Sequence, residues 1–226
     1  MTDQIQPTFK TARDYIYHTI KKEILSLNLK PGTCISEKEY MERLSSSRTP
    51  IREAFVQLSK DELLDIYPQK GTYVSLINVA YVEEGRFIRE HLEKEVLKLA
   101  CDCLTKHDFY KLEALLKMQE LAKNHDHMEE LFKLDDDFHQ TIFNACGKER
   151  TWLMIKRMNS HLDRLRMLSL FKSTSWDLIV NQHVLMYEAI KRKDKERVEE
   201  IVVEHLRLAL IDQVDLKHQY PAYFKE

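Results

Sequence analysis

Four side chains in the second half of the chain, Asp135, His139, His183 and His205, are of types that bind divalent metal ions. Asp135 and His139 are spaced i, i+4, so a helix there presents a carboxylate and an imidazole on one face. They run alongside the apolar series Leu131, Leu134, Phe138, Ile142 and Ala145, which puts that face near a core, where helix bundles build their metal sites. His183 opens a stripe continued by Met186, Tyr187 and Ile190, and His205 sits among Ile201, Val202, Leu206 and Leu208. Taken singly, each has a plainer reading. An Asp-x-x-x-His pair is commonly a surface ion pair, and a lone histidine on an apolar face is more often a satisfied core residue. Taken together, three nitrogens and one oxygen suit Zn, Ni or Mn better than Ca, and they leave positions open for water or a ligand.

A second set of chemically capable residues lies near the N-terminus, in Ser45-Ser46-Ser47-Arg48-Thr49-Pro50-Ile51-Arg52. Ser47 or Thr49 can cap a first helical turn, and Pro50 is tolerated there because its missing N–H has no intrahelical partner to lose. Ile51, Ala54, Phe55 and Leu58 then form one apolar stripe, while Arg48 and Arg52 stand one turn apart on the other side beside Thr49. Two guanidiniums in that position suit phosphates or guanine edges, with roughly 1–3 kcal/mol of discrimination per good bidentate base contact. A solvated helix face is the plain alternative.

The elements that must position these groups are mostly helices. Only 4 Gly and 5 Pro occur in 226 residues, and 43% hydrophobic with 32% charged residues is enough for one large or two modest domains. Tyr15, Ile16, Ile20, Ile24 and Leu27 mark a first helix over 11–27, ended by Leu29-Lys30-Pro31-Gly32. Ser36 and Glu39 form a capping box for a short second helix to Leu44, and the three serines turn the chain into the helix with the arginines. Leu63–Tyr67 and Thr72–Leu76 are β-prone runs around a Pro68-Gln69-Lys70-Gly71 turn, which predicts a hairpin. Three helices and a hairpin make a winged helix-turn-helix, whose hairpin tip, with Lys70 and Gly71, can approach the DNA backbone or minor groove. Beyond residue 79 the pattern is all-helical, in segments near 79–104, 106–124, 127–146, 149–170, 175–192 and 194–214. The expected fold is therefore mainly α: a winged helix-turn-helix domain over 1–78 and a helical bundle over 79–226.

Charge and cysteine content restrict the function classes. The chain has a formal charge of −2, and residues 1–78 carry 11 basic against 10 acidic side chains. DNA contact must come from a local cluster. No apolar run approaches the roughly 18 residues of a membrane span, and Met1-Thr2-Asp3-Gln4 lacks the basic and apolar regions of a signal peptide, so a cytoplasmic protein with no membrane partner is expected. Cys34, Cys101, Cys103 and Cys146 show no metal-knuckle or redox spacing, and reduced thiols are expected.

The run Leu29-Lys30-Pro31-Gly32, Ser36-Glu37-Lys38-Glu39, Ser47-Arg48-Thr49-Pro50-Ile51-Arg52-Glu53-Ala54 and Lys70-Gly71-Thr72-Tyr73-Val74 resembles the GntR family of bacterial transcription regulators over the first 78 residues. The resemblance implies DNA contact by Arg48, Thr49 and Arg52, by Lys38 where the family usually has Arg, and by the wing around Gly71. With Ser47 and Lys70, these complete the expected DNA-binding set. Two departures stand out: Ser45-Ser46 replaces the usual Gly-Val before the Ser-Arg pair, and Glu62 replaces the usual Gly before the wing. Asp135-Asp136-Asp137-Phe138-His139 with His183 and His205 resembles the FCD effector domain of the FadR-type branch, over roughly 80–214. Ile88-Arg89-Glu90-His91-Leu92-Glu93 is similar to that domain's first helix, whose inward Arg lies near the ligand cavity. Arg89 is then either an effector contact for a small organic acid or the surface partner of Glu93. A further departure is Lys148, where the family often has Asn. Asn159, His161 and Arg164 are expected in the bundle interior, and the tail from Lys217 either packs on the bundle or stays loose.

These readings converge on a homodimeric repressor that binds a palindromic double-stranded operator and senses a small organic acid at a divalent metal site. A metal-dependent enzyme and a DNA-architectural protein with a purely dimerising helical domain are the alternatives.

Overall fold

A computed structural model describes residues 9–125, 127–170, 176–211 and 213–225. The chain forms two compact units, one ending at Leu76 and one running from Ile77 to Phe224.

The first unit comprises α1 (Ala12–Leu25), β1 (Cys34–Ile35), α2 (Glu37–Arg43), α3 (Arg48–Lys60), β2 (Leu64–Tyr67) and β3 (Gly71–Val74). Thr11 caps α1 and Ser36 caps α2, their hydroxyls accepting from the amides of Asp14 and Glu39, each cap worth on the order of 1 kcal/mol. The α3 stripe of Ile51, Ala54, Phe55 and Leu58 is buried against Ile16, Ile20 and Ile24 of α1, as its spacing requires. Ser47 occupies the cap position of α3 but its side chain makes no capping bond, and Thr49 lies inside the helix, so neither hydroxyl performs the expected cap. The wing is a hairpin of β2 and β3, extended by a strand absent from the expectation: β1 pairs antiparallel with β3, giving the order β1-β3-β2. Two residues are too short for alternation to register.

Both departures from the usual glycines fall on left-handed backbone: Ser45 has φ +48° and Glu62 has φ +60°. A side chain there costs about 1–2 kcal/mol, while glycine returns roughly 0.5–1 kcal/mol of that as lost chain entropy. Ser45→Gly and Glu62→Gly should therefore each stabilise the protein by up to about 1 kcal/mol, seen as a raised urea midpoint at unchanged slope. Leu27→Gly, also at positive φ (+61°), should instead lower it, because it removes a buried side chain.

The second unit comprises α4 (Val79–Cys103), α5 (Lys106–Asn124), α6 (Met128–Ala145), α7 (Glu149–Met158), α8 (Ser160–Leu170), α9 (Trp176–Lys191), α10 (Lys195–Ile211), α11 (Gln213–Gln219) and a 3-10 turn at Pro221–Tyr223. The helix expected over 149–170 is two helices, broken at Asn159, whose amide still bonds Ile155 O. Helical periodicity continues on both sides of the break and so conceals it. Gly85 of α4 passes this junction so closely that a Cβ there would meet Asn159 Oδ1 at 2.9 Å. The start of the helix expected at 175 lies outside the described residues, as does residue 212 within the one expected over 194–214.

The core of this unit gathers Leu97, Ala100, Phe138, Ile142, Met186, Ile190, Ile201 and Val202 from α4, α6, α9 and α10. Asn159, His161 and Arg164 are buried, as expected. His161 Nδ1 accepts from the amide of Asn78 at 3.1 Å and lies 2.9 Å from Arg164 Nη2, which ties down the start of α4. The tail packs on the bundle: Ile77 donates to Tyr223 O at 2.8 Å, and Phe224 is buried. The four cysteines are free thiols, Cys103 and Cys146 lying 3.0 Å apart. No helix among the described residues is long and apolar enough to cross a membrane.

Candidate functional site

Asp135 and His139 sit on the buried face of α6, between Leu131, Phe138 and Ile142, because the i, i+4 spacing carries them around with the apolar stripe. The same logic turns His183 inward on α9 and His205 inward on α10. The four side chains meet: one potential ligand atom from each lies within 4.8 Å of all the others. The three imidazole rings stand 4.8–5.3 Å apart, centroid to centroid.

Neighbouring side chains fix what each ring presents. Gln119 donates its amide to Leu134 O at 3.0 Å, so its Oε1 must accept, and it does so from His183 Nδ1 at 2.8 Å. That assignment leaves His183 Nε2 as a bare lone pair. Gln182 Oε1 lies 3.1 Å from His205 Nδ1 and supports the same tautomer there. Glu93 Oε2 approaches His139 Nδ1 to 3.0 Å, a charge contact whose angle falls short of a hydrogen bond. Arg166 engages Asp135 Oδ2 and is itself held by Asp163 at 3.2 Å, which Lys156 joins to Asp136. Asp135 is left with Oδ1, 3.4 Å from His183 Nε2.

Asp135 Oδ1, His139 Nε2 and His183 Nε2 are consequently buried with no hydrogen-bond partner. Three acceptors brought together in a dry interior repel one another, and such groups are normally satisfied. A cation at their centre satisfies all three, so the residues present fit a divalent metal, with Glu93, Gln119 and Gln182 orienting the imidazoles from behind.

Charge follows from burial. Burial pushes the His183 imidazole down to about 3 and holds that of His205 well below its ordinary value, with His183 and His139 adding to the latter. Burial alone would raise Asp135 and Glu93. The Arg166 guanidinium with His183 outweighs it at Asp135, and Arg89 with His139 outweighs it at Glu93, so both carboxyls titrate below their ordinary range. In metal-free protein the unfolded chain therefore takes up protons below about pH 6.5 that folded His183 refuses down to about 3, so stability falls as pH drops through that window. The two depressed carboxyls add a loss in the same direction below about pH 4. Between pH 7 and 5 the His183 contribution is on the order of 2 kcal/mol. Thermal melts of chelator-treated protein should show this slope, reduced in His183→Gln; a flat profile would contradict the buried neutral imidazole.

Next to the cluster is a small cavity, partly open to solvent, lined by Arg89, Phe132, Asp135, Arg166, Trp176 and His205 among others. Arg89 does pair with Glu93, but in the interior: their side chains are 2% and 0% exposed. Its Nη2 is buried without an acceptor. The two readings of Arg89 are thus not exclusive. Glu93, Gln119, Gln182, Arg166 and Trp176 were not marked as site residues by the sequence. Only Glu93, four residues after Arg89, carried a local signal.

The expected DNA-binding residues lie in the first unit. Lys38 on α2, Ser47 before α3, Arg48, Thr49 and Arg52 on α3, and Lys70 and Gly71 at the wing tip are all exposed. Lys38 Nζ lies 3.9 Å from Glu42 and Arg52 Nε lies 3.4 Å from Glu37, both at the surface. His91, His125 and His127 are exposed and take no part in the cluster, and Lys148 is exposed just before α7.

A winged helix-turn-helix joined to a helical domain with a buried Asp/His3 cluster defines a DNA-binding transcription regulator. Residues 12–74 match the bacterial regulatory proteins of the gntR family, and residues 86–208 match the FCD domain. The chain belongs to the gntR family, in its FadR-type architecture with an FCD domain. It is 33% identical to the HTH-type transcriptional repressor RspR of Escherichia coli (strain K12), over 90% of this chain and 89% of that protein. It is 30% identical to an HTH-type transcriptional regulator in an unstable DNA locus of Streptomyces ambofaciens, over 97% and 92%. The solved structure of Escherichia coli McbR/YncC has the same fold, with a TM-score of 0.80 at 23% identity, covering 94% of this chain and all of that one. These homologues are transcription regulators, not enzymes.

Proposed function

We propose that the protein is a cytoplasmic, homodimeric repressor that binds a palindromic operator and leaves it when a small organic acid enters the helical domain beside a divalent ion. The observation that carries the sensing half is the set of three unpartnered buried acceptors, Asp135 Oδ1, His139 Nε2 and His183 Nε2, beside a cavity that Arg89 lines. With His205 they would hold Zn, Ni or Mn, and the bound ion would supply a Lewis-acidic anchor for a carboxylate. Arg89, with its free Nη2, would take a second oxygen of the same ligand. Arg89 also neutralises Glu93, which faces His139, so effector contact and metal orientation meet in one side chain.

A dimer is supported by the weak basicity of the first unit, since two reading helices double the contacts available to one. Repression is supported by the likeness to RspR, a transcriptional repressor. Effector binding can shift the equilibrium only by its differential affinity for the DNA-competent and DNA-free arrangements, typically 1–3 kcal/mol. The test is selection of duplexes from a randomised pool by the full chain, followed by release with small acids. A two-fold symmetric motif is expected, with release that requires added metal and disappears with a chelator. An asymmetric motif would remove the dimer, and release indifferent to the chelator would remove the metal from sensing.

A further inference from the structure

Trp176, the first residue of α9, lines the cavity beside the cluster and is 3% exposed. Its indole N–H is buried and has no acceptor. Buried indoles normally find one, because tryptophan can donate at this atom and nowhere else. Among the described residues, the other unpartnered polar atom on the cavity wall outside the metal cluster is Arg89 Nη2, again a donor only. Arg166 is occupied by Asp135 and Asp163. Much of the remaining wall is apolar, including Phe132, Leu162, Ile179 and Leu206.

We infer that Trp176 is a specificity-determining residue whose indole N–H selects effectors carrying a second oxygen acceptor apart from the carboxylate, in effect dicarboxylic or hydroxy acids. The inference rests on the acid-binding reading of the cavity and narrows it. A monocarboxylic acid with a plain alkyl tail satisfies Arg89 and leaves the indole N–H unpaired in the complex. A ligand with a second carboxylate or a hydroxyl pairs it. An ammonium group at that position would set donor against donor, so amino acids are rejected for the same reason. A site built to donate a hydrogen bond discriminates against analogues that lack the acceptor.

The experiment uses the full chain loaded with zinc and three four-carbon probes: succinate, 3-hydroxybutyrate and butyrate. Titration calorimetry on the native protein should give 3-hydroxybutyrate about fivefold tighter than butyrate, the usual worth of one neutral hydrogen bond, and succinate, whose second acceptor is charged, about tenfold or more tighter. Trp176→Phe keeps an aromatic ring and removes the donor, so it should abolish that preference and leave butyrate within about twofold. A preference unchanged in Trp176→Phe overturns the assignment, as does the same loss for all three acids. Should the variant fold poorly, native protein labelled with 15N-tryptophan answers instead. The chain has only Trp152 and Trp176, and Trp152→Phe assigns the two indole resonances. The Trp176 proton should move downfield with succinate and not with butyrate; an unmoved resonance in the succinate complex overturns the inference while leaving acid binding intact. If none of the three acids binds the zinc-loaded protein, the acid-binding reading falls, and this inference with it.

Discussion

Protein purified without chelator should contain about one divalent ion per chain, and His139→Ala/His183→Ala protein should contain essentially none. The expectation rests on where the lone pairs point. Gln119 fixes the His183 tautomer through its own bond to Leu134 O, and the freed Nε2 lies 3.4 Å from Asp135 Oδ1 with no proton assigned between them. Two acceptors at that distance repel, and the low-dielectric interior magnifies the repulsion. An ion turns the same contact into attraction, so folding and metal binding support each other. At a hundredfold excess of ion over its dissociation constant the stabilisation is about 2.7 kcal/mol, and for domains of this size each kcal/mol moves the melting temperature by roughly 2–4 °C. A chelator should therefore lower the native melting point by about 5–10 °C and leave that of the double variant unmoved. His205→Gln, a milder change, should weaken the metal without emptying the site in excess ion. Elemental analysis and paired melts read both quantities. Equal metal content in native and double-variant protein would falsify the site.

The four clustered side chains, Asp135, His139, His183 and His205, were legible because each lies on a helix whose apolar period is unambiguous. Phe138 and Ile142 fix the inward face of α6, and Asp135 and His139 follow it by spacing alone. The groups that orient them were not legible. Gln119 lies 64 residues from His183, and nothing in the α5 sequence distinguishes it from a solvated glutamine, yet it is fully buried. Glu93 read equally well as a surface partner of Arg89, because an i, i+4 pair looks the same on either face of a helix until the packing around it is known. Trp176 stands near the start of the helix expected over 175–192, where periodicity has the fewest residues to work with. In the first unit the apolar stripe of α3 identified the helix and its buried face, while Ser47 shows the limit of local rules: the cap position was right and the capping bond is absent. Periodicity reports which face is inward; the partners a face meets come from elements distant in sequence.

The missing cap at Ser47 bears on the second large effect, the loss of operator binding in Arg48→Ala and Arg52→Ala. An exposed serine hydroxyl unengaged in capping, beside the free amides of the first turn of α3, leaves that helix end ready for a phosphate. Arg48 and Arg52 are then one turn apart on the exposed face, opposite Ile51 and Phe55, which anchor the helix in the core. Removing either guanidinium should cost about 1–3 kcal/mol, a weakening of roughly five- to 150-fold in a gel-shift titration, with relaxed sequence preference if the contact is to a base. Lys38→Ala should act differently: a point charge on phosphate lowers affinity evenly across sequences and reduces the salt slope by about 1 per chain. Arg52 adds a discriminating case. Its Nε lies 3.4 Å from Glu37 with most of the side chain exposed, so this surface pair is weak, and Glu37→Gln should free the guanidinium and tighten binding slightly. Because the first unit carries a net charge of only about +1, there is little general attraction to compensate for a lost contact. A series in which Arg48→Ala and Arg52→Ala both bind the selected duplex as tightly as native protein would remove α3 as the reading helix.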